Sequence, residues 1–155
     1  PLLVASAEAG VSNLLLFGYH GKLVKLAGGI FHTHHHLADG RLEVLAAIAL
    51  QQGLGVDLIK ELLGCASMES ALQELQKRDC ALADRVWQAI AQAVELRSEA
   101  YLKRYGSWPM RVGAALFDRQ RQLRWTGLTG HSLLARCGLG IHSEGEEAGL
   151  DPSLR

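Results

Sequence analysis

The sequence predicts an α/β protein with a parallel sheet and flanking helices. Three observations predict it. An apolar, strand-like run, Leu14 to Phe17, breaks at Gly18 and gives way to helical periodicity. A second run, Met110 to Phe117, is continuously apolar after Arg111, as expected of a strand covered on both faces. Between the two lie several amphipathic stretches that carry the chain back across the sheet, so the strands are expected to run parallel.

Taken in order, Leu2 to Ala9 is Ala-rich and apolar and stops at Gly10, which predicts a helix packed on the strand Asn13 to Phe17. A helix starts at Gly21 or Lys22, with Leu23, Leu26, Ala27 and Ile30 on one face, and Gly28-Gly29 weakens its end. Asp39 is the expected N-cap of a helix through Leu50, which Gly53 and Gly55 break. Asp57 to Leu63 and Ser67 to Gln76 are two short helices. Asp79 to Tyr105 is one long helix whose buried stripe carries Leu82, Val86, Ile90, Ala93 and Tyr101. Gly106 and Pro109 end it before the second strand. Asp118 to Gln122 is a turn, and Leu123 to Thr126 is a candidate hairpin partner. From Gly127 the chain is Gly-rich and loses periodicity. The expected organisation is one domain over residues 1–127 and a flexible tail over 128–155. Two or three strands against six helices make a thin sheet. The expectation is a sheet incomplete on its N-terminal side, in a fragment that begins at Pro1 after the first strand.

At 155 residues, 48% of them apolar, the chain can bury a core of its own. Its 16 basic and 16 acidic residues cancel, which argues against a broad nucleic-acid or membrane surface. No apolar run approaches a membrane span, and no secretory signal is visible. The three cysteines, Cys65, Cys80 and Cys137, fit neither a disulfide framework nor a zinc pattern, so reduced thiols and a cytoplasmic setting are expected. Oligomeric state is not legible.

One connection concentrates chemistry. Between Gly18 and Glu43 stand Tyr19, His20, Lys22, Lys25, Thr33, Asp39, Arg41 and the run His32, His34, His35, His36, which with His20 holds five of the seven histidines. Connections carry binding groups more often than cores do. Gly18-Tyr19-His20-Gly21-Lys22 follows a strand and opens a helix, where free N–H groups meet ligands at the carboxyl edge of a sheet. It is neither a Walker A loop nor a GxGxxG fingerprint, and a plain βα turn with permissive glycines is the competing reading. In extended backbone His32, His34 and His36 would share a face and could hold zinc. The spacings of dinuclear and HExxH hydrolases are absent, however. Rings that cap helices or face water are the plainer alternative, and no metal is assigned. Asp39 and Glu43 read most simply as a cap and a surface charge.

The stretch GYHGKLVKLAGGIFHTHHHLADGRLEVLAA, with YLKRYGSWPMRVGAALFD further on, resembles the cobalt-precorrin-5B C-1 methyltransferase family of anaerobic cobalamin biosynthesis. Gly18, Gly21, Lys22, Leu23, Lys25, Leu26, Ala27, Gly29, Phe31, Thr33, His34, Ala38, Asp39 and Arg41 match that family's signature. Tyr19-His20 replaces a more usual His-Ile pair, and His35 stands where Ser is common. The resemblance implies a Rossmann-like domain, S-adenosyl-L-methionine as methyl donor, and a cobalt-precorrin tetrapyrrole converted to cobalt-precorrin-6A by methylation at C-1. It implies His34 and His20 as candidate general bases. For substrate or donor it implies Gly18, Tyr19, Gly21, Lys22, Lys25, Thr33, His36, Asp39 and Arg41. Lys22, Lys25, His34, His36 and Arg41 would meet the macrocycle's carboxylates, over a floor of Tyr19 and Phe31. A metal-dependent hydrolase using residues 32–36 and a non-catalytic tetrapyrrole-binding module are the alternatives.

Overall fold

The computed structural model describes residues 2–32 and 39–139. Among them it is mixed α/β. In chain order the elements are α1 (Leu2–Glu8), β1 (Asn13–Tyr19), α2 (His20–Ala27), α3 (Arg41–Gln51), α4 (Val56–Leu63), α5 (Met68–Arg78), α6 (Cys80–Leu102), β2 (Arg111–Phe117), β3 (Leu123–Thr126) and α7 (Leu128–Arg136).

The three strands form one sheet in the order β1-β2-β3. β1 and β2 are parallel and in register from Asn13 opposite Arg111 to Tyr19 opposite Phe117. β3 returns antiparallel, with a register shift between Leu116 and Phe117. β2 is therefore central, as its unbroken apolar run predicts. Alternation assigns the two faces. Leu16, Ala114 and Leu116 join the main core with Val24, Leu45, Leu75, Trp87 and Ile90. Leu14 and Val112 join a second cluster with Leu3, Val4, Tyr101 and Met110 beneath it. Gly113 points the other way, onto α7.

Several elements end a few residues from where expected, and two of these differences bear on the site. β1 runs through Gly18 to Tyr19, because the parallel register with β2 outlasts the glycine. Asp39 does not cap α3. The N-cap is Gly40, in the left-handed region at φ 61°, and Asp39 is turned to the Arg41 guanidinium instead. Ser67 and Asp79 do cap their helices, Ser67 in a reciprocal box with Ser70.

The larger correction concerns residues 128–139. They were expected to open a flexible tail, but Leu128–Arg136 is a helix packed on β2. Its start is held by side chains distant in sequence. Gln92 Oε1 accepts the Leu128 N–H at 2.9 Å. The buried Glu95 carboxylate accepts Thr129 N–H at 3.0 Å and Gly130 N–H at 2.7 Å. It also accepts Ala114 N–H at 3.0 Å, at a position of β2 beyond the end of β3. A helix start left open by its own sequence is thus closed by α6. Gly130 is required here, since a Cβ would run into the Ala114 backbone. Residues 140–155 of the expected tail lie outside the described residues.

Candidate functional site

The carboxyl ends of β1 and β2 meet at Tyr19 and Phe117, and α2 leaves from that edge. Tyr19 occupies the N-cap position of α2 in extended backbone, with no side-chain cap on the helix. The Tyr19 ring lies over Gly21, where a Cβ would sit 2.6 Å from its Cε1. The motif glycine is therefore a packing requirement of its neighbour, and α2 needs no positive φ there.

His20 is 0% exposed. Its Nδ1 accepts the indole N–H of Trp87 at 3.0 Å, so the neutral ring carries its proton on Nε2. That nitrogen faces Glu69 Oε2 at 3.0 Å. The Tyr19 hydroxyl donates to the same oxygen at 3.3 Å. Burial pushes the His20 pKa below its ordinary value, and the Glu69 carboxylate opposes the shift only in part. Burial and then Glu69 push the Tyr19 phenol up. Both ring nitrogens of His20 are engaged, so the ring is placed to support neighbours and not to meet a ligand.

A second group lies at the first turn of α2. Arg41 Nη1 donates to the Gly21 carbonyl at 3.3 Å. Its Nε and Nη2 hold Asp39 in a fork at 2.5 and 2.6 Å. Lys25 Nζ stands 3.8 Å from the same carboxylate. The Arg41 hydrogen bonds hold the Asp39 carboxyl below its usual range. Lys22 is exposed on that turn. Gly18, Tyr19, Gly21, Lys22, Lys25, Asp39 and Arg41 are thus gathered around the end of β1 and the start of α2. Thr33, His34, His35 and His36 lie outside the described residues.

Phe31 is not part of this edge. It stacks on Tyr101 at 4.3 Å in the second core cluster, and His32 approaches the Tyr101 hydroxyl at 3.3 Å. The apolar surface at the edge comes from other rings. Phe17 is 58% exposed and lies 5.2 Å from Phe117, which lies 6.2 Å from Tyr19. Phe17 and Tyr19 alternate onto one face, a period legible in the sequence, but Phe117 joins them only through the parallel register. Glu69 carried no signal at all, since it comes from α5. Arg111 sits at the far end of β2, bonded to Thr129 and near Glu99. Cavities of about 230 and 250 Å³ flank it there. Among the described residues no three His, Cys, Asp or Glu side chains gather to hold a metal. None of the described helices is long and apolar enough to cross a membrane.

Fold and edge together define a mixed α/β domain with cationic, aromatic and hydroxyl groups collected where its parallel strands end. The family model described as CbiD, C-terminal domain, matches residues 32–127. The chain belongs to this family. Among its relatives, the cobalt-precorrin-5B C(1)-methyltransferase of Prochlorococcus marinus (strain MIT 9303) is 63% identical over 139 residues, covering 90% of this chain and 36% of that protein. The protein of the same name from Synechococcus sp. (strain CC9902) is 61% identical over 127 residues, covering 82% and 35%. The chain spans little more than a third of the length of the curated relatives it matches. No solved structure matches it significantly.

Proposed function

We propose that this chain is the Rossmann-like part of a cobalt-precorrin-5B C-1 methyltransferase, which transfers a methyl group from S-adenosyl-L-methionine to the macrocycle and yields cobalt-precorrin-6A. The observation that carries the proposal is the 63% identity to a protein of that name over 90% of this chain. The chemistry agrees with the edge. A corrinoid precursor is a flat ring rimmed by carboxylates, and binding it takes an apolar floor edged with cations. Phe17, Tyr19 and Phe117 provide the floor, with Tyr19 retained and Phe117 taking the place first given to Phe31. Lys22, Lys25 and Arg41 provide cations, and Thr33, His34 and His36, outside the described residues, are assigned to the same substrate. Gly18 and Gly21 let the backbone and the Tyr19 ring approach closely. Asp39 orients Arg41.

His34 is the general base in this reading, since imidazole titrates near neutrality. His20 is assigned a supporting place, because Trp87 occupies the nitrogen a base would use. The methyl donor does not find its whole site among the described residues. Three acidic side chains at the edge would suit ribose hydroxyls, and each is engaged by neighbours, Asp39 by Arg41. Glu69 serves Tyr19 and His20, and Asp118 serves the Gln122 N–H and Arg124. The described residues therefore position and desolvate the tetrapyrrole, aligning its carbon with the incoming methyl. In the same reading the open edge of β1 takes a further strand and the protein works in the cytoplasm.

The test is methyl transfer. Full-length protein is incubated with methyl-labelled S-adenosyl-L-methionine and cobalt-precorrin-5B. Label should appear at C-1 of the macrocycle. Folded protein that binds the tetrapyrrole and transfers no label would favour the binding-module alternative.

A further inference from the structure

Tyr19 and His20 are consecutive, yet both side chains end on one oxygen, Glu69 Oε2, at 3.3 and 3.0 Å. The polar chain starts in the core at Trp87, whose indole N–H fixes Nδ1 of His20. It passes through a fully buried imidazole to a carboxylate whose side chain is 15% exposed, and ends on a phenol at the strand edge. Trp125 packs on His20 edge-on at 5.8 Å and restrains the ring. Glu69 stands in the first turn of α5, but the Ser67–Ser70 box already closes that helix start. Its carboxylate is turned instead to the end of β1.

We propose that Glu69 is a positioning residue of the ligand edge. It clamps the Tyr19 hydroxyl so that the ring stays over Gly21, and His20 with Trp87 holds Glu69 in place. The proposal rests on the tetrapyrrole reading above and deepens it. A ring fixed before binding spares the ordering cost that a free tyrosine would incur. The clamp also matters for charge. A bare carboxylate at this edge would repel a substrate rimmed with carboxylates. Donors from Tyr19 and His20 both take up the same oxygen and turn it inward.

The experiment uses the full-length protein and the variants Glu69→Gln, Tyr19→Phe and their combination. Two readings are taken. The first is the Tyr19 phenol titration by carbon-13 NMR at Cζ, assigned by loss of its signal in Tyr19→Phe. Burial, which raises the phenol pKa most, remains in Glu69→Gln, as do Arg119 and Arg41, which lower it, so the variant removes only the raising contribution of Glu69. The phenol pKa should therefore fall when the carboxylate is removed. The second reading is kcat and KM for methyl transfer to cobalt-precorrin-5B. Each single variant should raise KM about tenfold, the worth of one hydrogen bond to a charged group, with kcat changed much less. The combination should be no worse than Tyr19→Phe alone, because the two residues act through one contact. Additive losses, or a Tyr19 titration unmoved in Glu69→Gln, overturn the clamp. Should Glu69→Gln not fold, Glu69→Asp keeps the charge and withdraws the oxygen, and the same readings decide. A wild-type protein that transfers no methyl would overturn the functional reading alone, and the titration would still support or refute the clamp.

Discussion

Trp87 donates its indole N–H to Nδ1 of His20 across 3.0 Å, and this contact decides what the histidine can do. The free electron pair of the neutral ring is consumed inside the core. Protonating His20 means placing a proton where Trp87 already donates, so the charged ring is disfavoured by burial and by the loss of that bond.

A pH dependence follows. The folded-state pKa of His20 lies below its ordinary value of 6.5, so the unfolded chain binds the proton more readily than the folded one. The neutral ring's contribution is complete above pH 6.5. It is lost as the pH falls from there through the folded-state pKa. Thermal midpoints recorded from pH 8 to about 5 should decline over the acid half of that range. In His20→Gln, which cannot titrate, this part of the decline should disappear. An equal slope in the variant would place the proton uptake on other groups.

Trp87→Phe keeps a ring in the core and removes only the donor and the outer part of the indole. The Nδ1 of His20 is then buried without a partner, which costs about 1–3 kcal/mol in addition to the packing lost. Urea unfolding should show this destabilisation. Nitrogen-15 spectra of labelled histidine should show the Nδ1 signal of His20 moving away from a hydrogen-bonded acceptor. A full-strength fold with an unchanged signal would mean the contact is not made in solution.

Glu95 makes a different prediction, confined to stability. Its carboxylate accepts three backbone N–H groups, from Ala114, Thr129 and Gly130, and joins α6, β2 and α7. Glu95→Ala leaves these donors unpaired in a site that is 2% exposed, and should cost at least about 3 kcal/mol. Amide exchange in α7 should rise more than exchange in β1, because α7 depends on this carboxylate for its start. Equal protection in both elements would show that α7 is held by its apolar contacts alone.

The contrast between Glu95 and the terminal glycines explains how far the sequence could be read. β1, β2, β3 and α6 were visible because each is specified by its own local pattern. Leu14 to Phe17 is an apolar run, and Asp79 is a cap followed by helical spacing. α7 was not visible, since its short apolar content includes Gly130 and its caps are Gln92 and Glu95, three dozen residues earlier. The same division holds at the site. Tyr19, Gly21, Lys22 and Arg41 lie on one connection and were legible as a group. Glu69 and Phe117 reach the edge through tertiary packing and parallel register, which no local spacing encodes. Asp39 was misread for a related reason. A cap is inferred from position, but the neighbouring Arg41 offers a bidentate partner that outcompetes the helix N–H groups.

Gly21→Ala tests whether the glycine of the motif serves its neighbour. Alanine favours a helix over glycine by about 1 kcal/mol, so α2 itself gains. Its Cβ, however, would lie 2.6 Å from Tyr19 Cε1, and the ring must move. Overall stability should stay within about 1 kcal/mol of wild type, as the gain and the displaced ring offset each other. The Tyr19 phenol should titrate at lower pH, because its contact with Glu69 is broken. Methyl transfer should weaken through KM. An undisturbed Tyr19 titration would show that the ring and the new methyl coexist.

Lys22 and Arg111 allow the ligand edge to be located outright. Both are exposed cations in one small sheet domain, Lys22 at the carboxyl end of β1 and Arg111 at the amino end of β2. Neither carries core packing, so Lys22→Ala and Arg111→Ala should leave the thermal midpoint nearly unchanged. If the macrocycle's carboxylates are met at the β1 edge, Lys22→Ala should cut kcat/KM by roughly ten- to a hundredfold, the loss of one charge-assisted contact of about 1.5–3 kcal/mol. Arg111→Ala should then cost less than about threefold, because its guanidinium is engaged with Thr129 and Glu99 on the opposite side. His34→Ala should follow Lys22→Ala, with loss of transfer and retained stability. Methyl transfer and thermal midpoint are measured on the same preparations. If Arg111→Ala proved as damaging as Lys22→Ala, the binding edge would have to be moved to the cavities beside Arg111, and the assignment made from Tyr19 and α2 would be lost.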